Sequence, residues 1–268
     1  MTGLSEEQIE RYSRQLIIPG FGARGQQRLQ DGSVLVVGAG GLGSPVALYL
    51  AAAGVGRLGL VDDDVVSLSN LQRQILHRTA DLGRAKVESG SRAMLALNPK
   101  VRVDRHHTRL TATNALELVD DYDVVVSALD NLPSRYVLND ACVLADRPLV
   151  EAGVLRFEAL ITTIIPKKTP CYRCLFPEMP PVEAIPTCAQ AGILGPVAGL
   201  AGVIQATEAL KLLLEMGETL SGRLLMVNAL DMTFRTVTVE RNPSCRVCGD
   251  EAGPIVLEDP PGAQDCPR

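Results

Sequence analysis

Two Cys-x-x-Cys pairs, Cys171-Tyr-Arg-Cys174 and Cys245-Arg-Val-Cys248, stand some 70 residues apart. If one metal holds both, segments distant in sequence must converge, and few topologies allow that. Four thiolates offered as two close pairs match the tetrahedral ligand set of a structural zinc, each pair spanning one edge while the insertion folds between them. Two redox dithiols or a disulfide pattern are the competing readings. A reducing compartment disfavours disulfides, and a full four-sulfur set leaves no open coordination position. The pairs therefore point to an anchor, and chemistry has to be sought elsewhere.

The compartment follows from the first residues. Met1 to Glu10 carries Glu6, Glu7 and Glu10 and no apolar run, so no signal peptide is expected and a cytoplasmic location is. The most apolar stretch, Gly192 to Leu214, is interrupted by Gln205, Glu208 and Lys211 and reads as a buried helix, not a membrane span. A net charge of −5 gives no overall basic field, and an aromatic content of 3% without Trp leaves little for base stacking. Neither nucleic acid nor membrane is an expected partner. A small molecule or a protein is.

The first half alternates strand and helix. Ser33–Val37, Arg57–Val61, Val101–His106, Asp123–Ser127 and Pro148–Glu151 read as strands. Leu42–Ala53, Gly83–Leu97, Thr111–Val119 (capped by Thr111) and Leu132–Ala145 read as the helices between them. This is the rhythm of a Rossmann-like, doubly wound, mostly parallel α/β sheet, which binds ligands beyond the carboxyl ends of its strands. After Gly153 the pattern changes to longer antiparallel strands, Arg156–Ile165, Arg223–Val227 and Thr233–Glu240, around a long helix, Ile193–Met216. The expected organisation is an N-terminal helical arm (1–30), a Rossmann-like part (31–153), an antiparallel C-terminal lobe carrying the zinc site (154–250) and a flexible tail (251–268).

Chemistry enters at Gly38-Ala39-Gly40-Gly41-Leu42-Gly43. The run follows a strand and opens a helix, so Gly38, Gly40, Gly41 and Gly43 let the backbone approach a phosphate while the helix N-terminus supplies N–H donors. Asp62, ending the second strand, sits where a carboxylate bonds ribose hydroxyls. These features alone fit NAD, FAD, S-adenosylmethionine or ATP, or a tight turn without a ligand. The next segment, Ser69-Asn70-Leu71-Gln72-Arg73-Gln74, with Lys86 beyond it, adds an amide and two cations near the same strand ends. Hydride transfer has no use for them. Attack of a carboxylate on the α-phosphate of ATP does, because charge accumulates on the phosphoryl oxygens and the leaving pyrophosphate. Asp130-Asn131, ending the fourth strand, suits either Mg²⁺ bridging the phosphates or a helix cap.

Taken in order, Arg11-Tyr12-Ser13-Arg14-Gln15, the glycine turn, S-N-L-Q-R-Q, Lys86, Asp130-Asn131, C-Y-R-C, Thr187-Cys188 and C-R-V-C resemble the MoeB/ThiF/HesA family, relatives of ubiquitin-activating enzymes. The resemblance covers about residues 5 to 250. It implies ATP-dependent adenylation of the C-terminal glycine of a ubiquitin-like sulfur-carrier protein of the MoaD/ThiS type ending in Gly-Gly, with release of pyrophosphate. By position it implies that Asp62 binds ribose, that Gly41, Asn70, Arg73 and Lys86 bind phosphates, and that Asp130 binds Mg²⁺. It further implies that Arg14 reaches across a homodimer into the neighbouring ATP site, that the four paired cysteines hold Zn²⁺, and that Cys188 sits where some members form a covalent link to the carrier. Cys142 reads as a core residue and Cys266 as incidental. His77, His106 and His107 need no catalytic role, because a terminal carboxylate is already a nucleophile. Only 20 residues follow Cys248, so a rhodanese-like region is not expected and sulfur would come from a separate donor, a desulfurase or rhodanese. Molybdopterin, thiamin and tRNA-thiolation pathways share these motifs. The competing readings are an NAD-dependent oxidoreductase and a noncatalytic module binding a ubiquitin-like protein.

Overall fold

The computed structural model describes residues 3–180 and 192–259. Thr187, Cys188 and Cys266 lie outside the described residues. Eight strands form one mixed sheet in the order β3-β2-β1-β4-β5-β6-β7-β8. β1 (Ser33–Val37), β2 (Arg57–Val61), β3 (Arg102–His106), β4 (Val124–Ser127) and β5 (Leu149–Leu155) run parallel. β6 (Glu158–Ile164), β7 (Arg223–Asn228) and β8 (Thr233–Thr238) continue the same sheet antiparallel. The chain winds outward from β1 to β3 and then returns to β4 on the other side of β1. That reversal is the topological switch point of a doubly wound sheet, where a ligand crevice opens beyond the carboxyl ends. Strands β1 and β4 are apolar and buried on both faces, as helix-covered parallel strands must be.

Short helices α1 (Glu6–Arg11) and α2 (Ser13–Leu16) precede α3 (Gly22–Asp31); α1 is opened by a reciprocal capping box between Ser5 and Gln8. One face of the sheet packs against α3, α4 (Gly43–Ala53), α5 (Lys86–Leu97) and the long helix that lies between β6 and β7. The other face packs against α6 (Ala115–Asp120), α7 (Leu132–Leu144) and α8 (Tyr172–Leu175). The long helix is α9 (Gly195–Leu214), long and apolar enough by composition to cross a membrane. Its place is in the core: Val197, Ala198, Ala201 and Ala209 are buried, and Glu208 accepts hydrogen bonds from Thr163 Oγ1 and the Leu220 amide, each at 2.6 Å.

Two helices begin later than their sequence pattern suggests. Residues 83–85 do not start α5, because Gly83 is left-handed at φ +80° and Ala85 pairs with Val65 as an isolated bridge. This detour places Lys86 at the first position of α5, beside the end of β2. Thr111 caps nothing: its amide donates to Asn114 Oδ1, Asn114 Nδ2 donates to the Arg109 carbonyl, and the resulting turn defers α6 to Ala115.

The turn from β1 into α4 is so tight that glycine is structural there as well as permissive. A Cβ on Gly43 would overlap the Gly38 carbonyl oxygen, and Gly38 itself sits at φ +105° with a Cβ position 2.5 Å from the Ala128 carbonyl. Gly43→Ala is therefore expected to destabilise the protein by about 3 kcal/mol, because backbone and not a flexible side chain has to move. A denaturant titration checks this, and an unchanged midpoint would refute the close approach.

Candidate active site

The crevice at the switch point is lined by backbone donors. Gly38 N–H bonds the Val61 carbonyl at 2.8 Å, Ala39 N–H bonds Asp62 Oδ2 at 2.8 Å, and the Gly40 carbonyl accepts from the Ser44 amide and hydroxyl. Among the described residues, no protein acceptor meets the amides of Gly40, Gly41 and Leu42. They lie at the N-terminus of α4, where the helix macrodipole also favours an anion. A Cβ on Gly41 would lie 3.3 Å from Ala198 and 3.4 Å from the Arg73 stem, so α9 and the 69–74 segment wall the cradle. The donor set and the bare backbone suit a polyphosphate.

Asp62 is fixed by backbone amides of its neighbours. Its second oxygen accepts the Asp64 amide at 2.9 Å, and burial raises its carboxyl pKa against the lowering pull of Lys86. Each carboxylate oxygen has a further lone pair, so the group keeps acceptor capacity for hydroxyls. Lys86 is only 4% exposed; its Nζ lies 2.8 Å from Asp64 Oδ2 and 3.7 Å from Asp62 Oδ1. Arg73 donates to Asn70 Oδ1 at 2.8 Å and to the Ser69 carbonyl at 3.2 Å, which aims a half-buried guanidinium along the cradle wall. Asn70 Nδ2 is held by Ser67 Oγ at 2.7 Å. Leu71 is half-buried and Gln72 exposed; the Gln72 carbonyl packs on Gly195 at the start of α9.

The remaining candidates stand apart from this group. Asp130 is exposed in the turn between β4 and α7, outside the cluster of Asp62, Asp63 and Asp64 whose oxygens lie within 4.8 Å of one another. Asn131 is the cap of α7, its Oδ1 accepting the Ser134 amide at 2.9 Å. Arg14 projects from α2, exposed and without an ion pair among the described residues.

The four paired cysteines do converge. Cys174 and Cys248 sulfurs are 3.3 Å apart, Cys171 and Cys245 3.6 Å, and Cys171 and Cys174 4.0 Å. Tetrahedral zinc with bonds of about 2.3 Å requires sulfurs separated by about 3.8 Å, so the donor set fits that ion. The Asn242 amide also donates to Cys174 Sγ. Crowding drives the thiols apart in acidity: Cys171 is raised and Cys248 lowered by their mutual hydrogen bond. The cluster is tied to α7 by a buried bidentate pair, Arg173 to Asp140 at 2.6 to 3.0 Å, and by the Tyr172 amide donating to Asn139 Oδ1. Cys142 is fully buried in α7 and takes no part.

Sequence reasoning passed over several polar groups behind the site. Asp64, the nearest partner of Lys86, reads in the sequence as an added metal ligand or a cap of the following turn. Glu151 is buried within β5, which runs on to Leu155 past the limit its sequence suggests, and lies opposite Ser127, its pKa raised to about 7 by desolvation in spite of Arg135 at 3.3 Å. Arg135 in turn donates two hydrogen bonds to the Leu129 carbonyl, next to Asp130. The available signal was a charged side chain ending an otherwise apolar strand. His77 also lies in the interior, against the glycine turn, and not on the surface.

The profile of the ThiF family matches residues 12–247. The sulfur carrier protein adenylyltransferase of Thermus thermophilus is 50% identical over 252 residues, 92% of this chain and 93% of that protein. The SAMP-activating enzyme E1 of Haloferax volcanii is 50% identical over 263 residues, 98% and 97% of the two chains. The adenylyltransferase and sulfurtransferase MOCS3 of Sus scrofa is 51% identical over 257 residues, and the match spans 56% of its length. Among solved structures, E. coli MccB with ATP superposes with a TM-score of 0.76 at 25% identity, over 89% of this chain and 73% of that one. The sheet order, the glycine turn and these matches agree, and the chain belongs to the ThiF family.

Proposed function

We propose that the chain adenylates the C-terminal glycine of a ubiquitin-like sulfur-carrier protein. The observation that carries this reading is the set of Gly40, Gly41 and Leu42 amides walled by Arg73 and α9, with Lys86 held by Asp64 and Asp62 at the end of β2. In the reaction, a carboxylate oxygen of the carrier's terminal glycine attacks the α-phosphorus of ATP. A C–O–P bond forms, the bond from the α-phosphorus to its bridging oxygen breaks, and pyrophosphate leaves with the electron pair. A terminal carboxyl, with an ordinary pKa of about 3.5, is ionised at neutral pH and needs no general base. The residues therefore work by position and charge: the amides hold phosphoryl oxygens, Lys86 and Arg73 neutralise charge moving to the leaving group, and Asp62 receives the ribose. Nicotinamide chemistry leaves Lys86 and Arg73 without a task, and a noncatalytic module has no reason to retain both.

Asp130 would hold Mg²⁺, which supplies charge neutralisation between the phosphates when bound. Cys171, Cys174, Cys245 and Cys248 would hold Zn²⁺ as a structural ion. The relatives named for sulfur-carrier and SAMP activation support a protein substrate. The same reading includes a cytoplasmic homodimer in which Arg14 of one protomer serves the other's cradle, and a separate sulfur donor. Cys188, as an acyl acceptor, belongs to the step after adenylation.

The test is ATP–pyrophosphate exchange with a panel of small carriers ending in Gly-Gly. At least one carrier should support exchange, and deletion of its last glycine should remove it. If none supports exchange while ATP binds, the reading is wrong about the acceptor.

A further inference from the structure

Three side chains of one segment each meet a successive residue of the glycine turn. The Arg73 stem faces Gly41, Gln74 Nε2 lies 3.6 Å from the Cβ position of Gly40, and His77 Nε2 lies 2.9 Å from the Ala39 carbonyl oxygen. His77 is 5% exposed, and its Nδ1 lies 2.9 Å from Ser89 Oγ. Ser89 Oγ in turn lies 3.0 Å from Asp81 Oδ2. The charged groups facing the ring are Asp62 from the end of β2, Asp81 from the preceding turn and Lys86 from α5.

Counting protons fixes the role of Nε2. A carbonyl oxygen only accepts, so the atom facing Ala39 has to carry hydrogen. In the neutral ring, Nε2–H donates to Ala39 and the Ser89 hydroxyl turns to donate to Nδ1. In the imidazolium, Nδ1–H donates to Ser89, whose hydroxyl then donates to Asp81. The tautomer protonated only on Nδ1 would set two lone pairs against each other across 2.9 Å. One rotation of the Ser89 hydroxyl thus preserves the donor at Nε2 in both charge states.

The geometry of the peptide bond carries this to the site. In a trans peptide the carbonyl of residue 39 and the N–H of residue 40 point in opposite directions. A hydrogen bond that pins the Ala39 carbonyl toward His77 therefore turns the Gly40 N–H away from it, toward the crevice. Ala39 N–H is held by Asp62, so both ends of this residue are fixed, and the flanking glycines would otherwise leave the plane free to rotate. We propose that His77 is a positioning residue for the nucleotide phosphates, holding the Ala39–Gly40 peptide so that the Gly40 amide is presented to them. This rests on the reading of the crevice as an ATP site.

The test compares ATP with adenosine, which lacks the phosphates. His77→Gln places an amide N–H near the position of Nε2, His77→Phe keeps a ring and removes the donor, and His77→Asn places its shorter amide near the position of Nδ1, short of the Ala39 carbonyl. Loss of one charge-assisted hydrogen bond of about 1.4 to 2 kcal/mol predicts a tenfold or larger rise in the ATP Kd of His77→Phe. Adenosine affinity should stay unchanged, His77→Gln should restore ATP binding to within about threefold of wild type, and His77→Asn should weaken ATP binding in the same selective way. Equal losses for ATP and adenosine, or a His77→Phe protein that binds ATP as wild type does, would overturn the proposal. If His77→Phe does not fold, His77→Asn decides: unchanged ATP affinity there sinks it. Failure of wild type to bind ATP at all would strike the reading of the site instead.

Discussion

Lys86→Ala is expected to lower carrier-dependent pyrophosphate exchange by about a thousandfold, the scale on which a preorganised charge acts on a transition state. Lys86 is the most buried cation of the site, and its position is set by the detour that starts α5 at that residue. Without nucleotide its ammonium is balanced by Asp64 and Asp62. Incoming phosphates compete with those carboxylates for the ammonium, so its charge is available at the cradle without a change of backbone. The substitution also has a stability cost of about 3 kcal/mol, because it leaves buried Asp62 without its cation. The two effects separate by pH. Burial already raises the Asp62 pKa and Lys86 lowers it, so removing Lys86 raises it further. A group whose folded pKa lies above its unfolded value binds its proton more tightly in the folded state, and stability then falls as pH rises. The Tm difference between wild type and Lys86→Ala should therefore be widest at neutral pH and narrow as acid protonates Asp62. Exchange should stay low at temperatures well below either Tm. A variant with near-normal exchange would remove Lys86 from the chemistry, and a Tm gap that widens in acid would contradict the pairing with Asp62.

The parallel half of the sheet was legible because each of its signals is local. Ser33–Val37 and Arg57–Val61 are apolar runs closed by the glycine turn and by Asp62, and their observed limits coincide with the expected ones. Boundaries failed where a side chain competed with the helix backbone, as Asn114 does beside Thr111, or where a strand-like bridge intervened, as at Ala85. The convergence of the cysteines was legible from stoichiometry, since metal ligands have to meet. What stayed hidden was pairing across sequence distance between residue types with many uses. Nothing in the run of Asp62, Asp63 and Asp64 says which carboxylate takes Lys86. A lone His77 gives no hint that its ring reaches a carbonyl 38 residues away. Arg173 is in sequence only a spacer between Cys171 and Cys174, and in the fold it is a buried partner of Asp140. Such pairs depend on the register of elements that local patterns do not encode.

Removal of zinc is expected to lower the Tm markedly before it affects nucleotide affinity. The Cys171, Cys174, Cys245 and Cys248 cluster joins the segment after β6 to the segment after β8, and its sulfurs sit within the apolar cluster of α7, Tyr136 and Val247. Structural zinc contributes on the order of 10 kcal/mol of apparent binding free energy, which folding of this region would forfeit. The phosphate cradle has different supports. Gly38 to Gly43, Lys86 and α4 are held from the opposite face, by α5, α9 and the apolar cluster around Val46 and Leu50. The Arg173–Asp140 pair keeps α8 on α7 without any metal, so loosening should begin in the 241–250 segment, which joins the core at Cys245, Val247 and Cys248. Purified protein should carry one zinc per chain by elemental analysis. Chelator should split or lower the thermal transition while the ATP Kd, measured below that transition, changes by less than about threefold, since no cradle contact is lost. A chain with oxidised cysteines and no zinc would reverse the assignment of the cluster. An ATP Kd that rises in step with metal loss would mean that the two faces of the sheet are one cooperative unit.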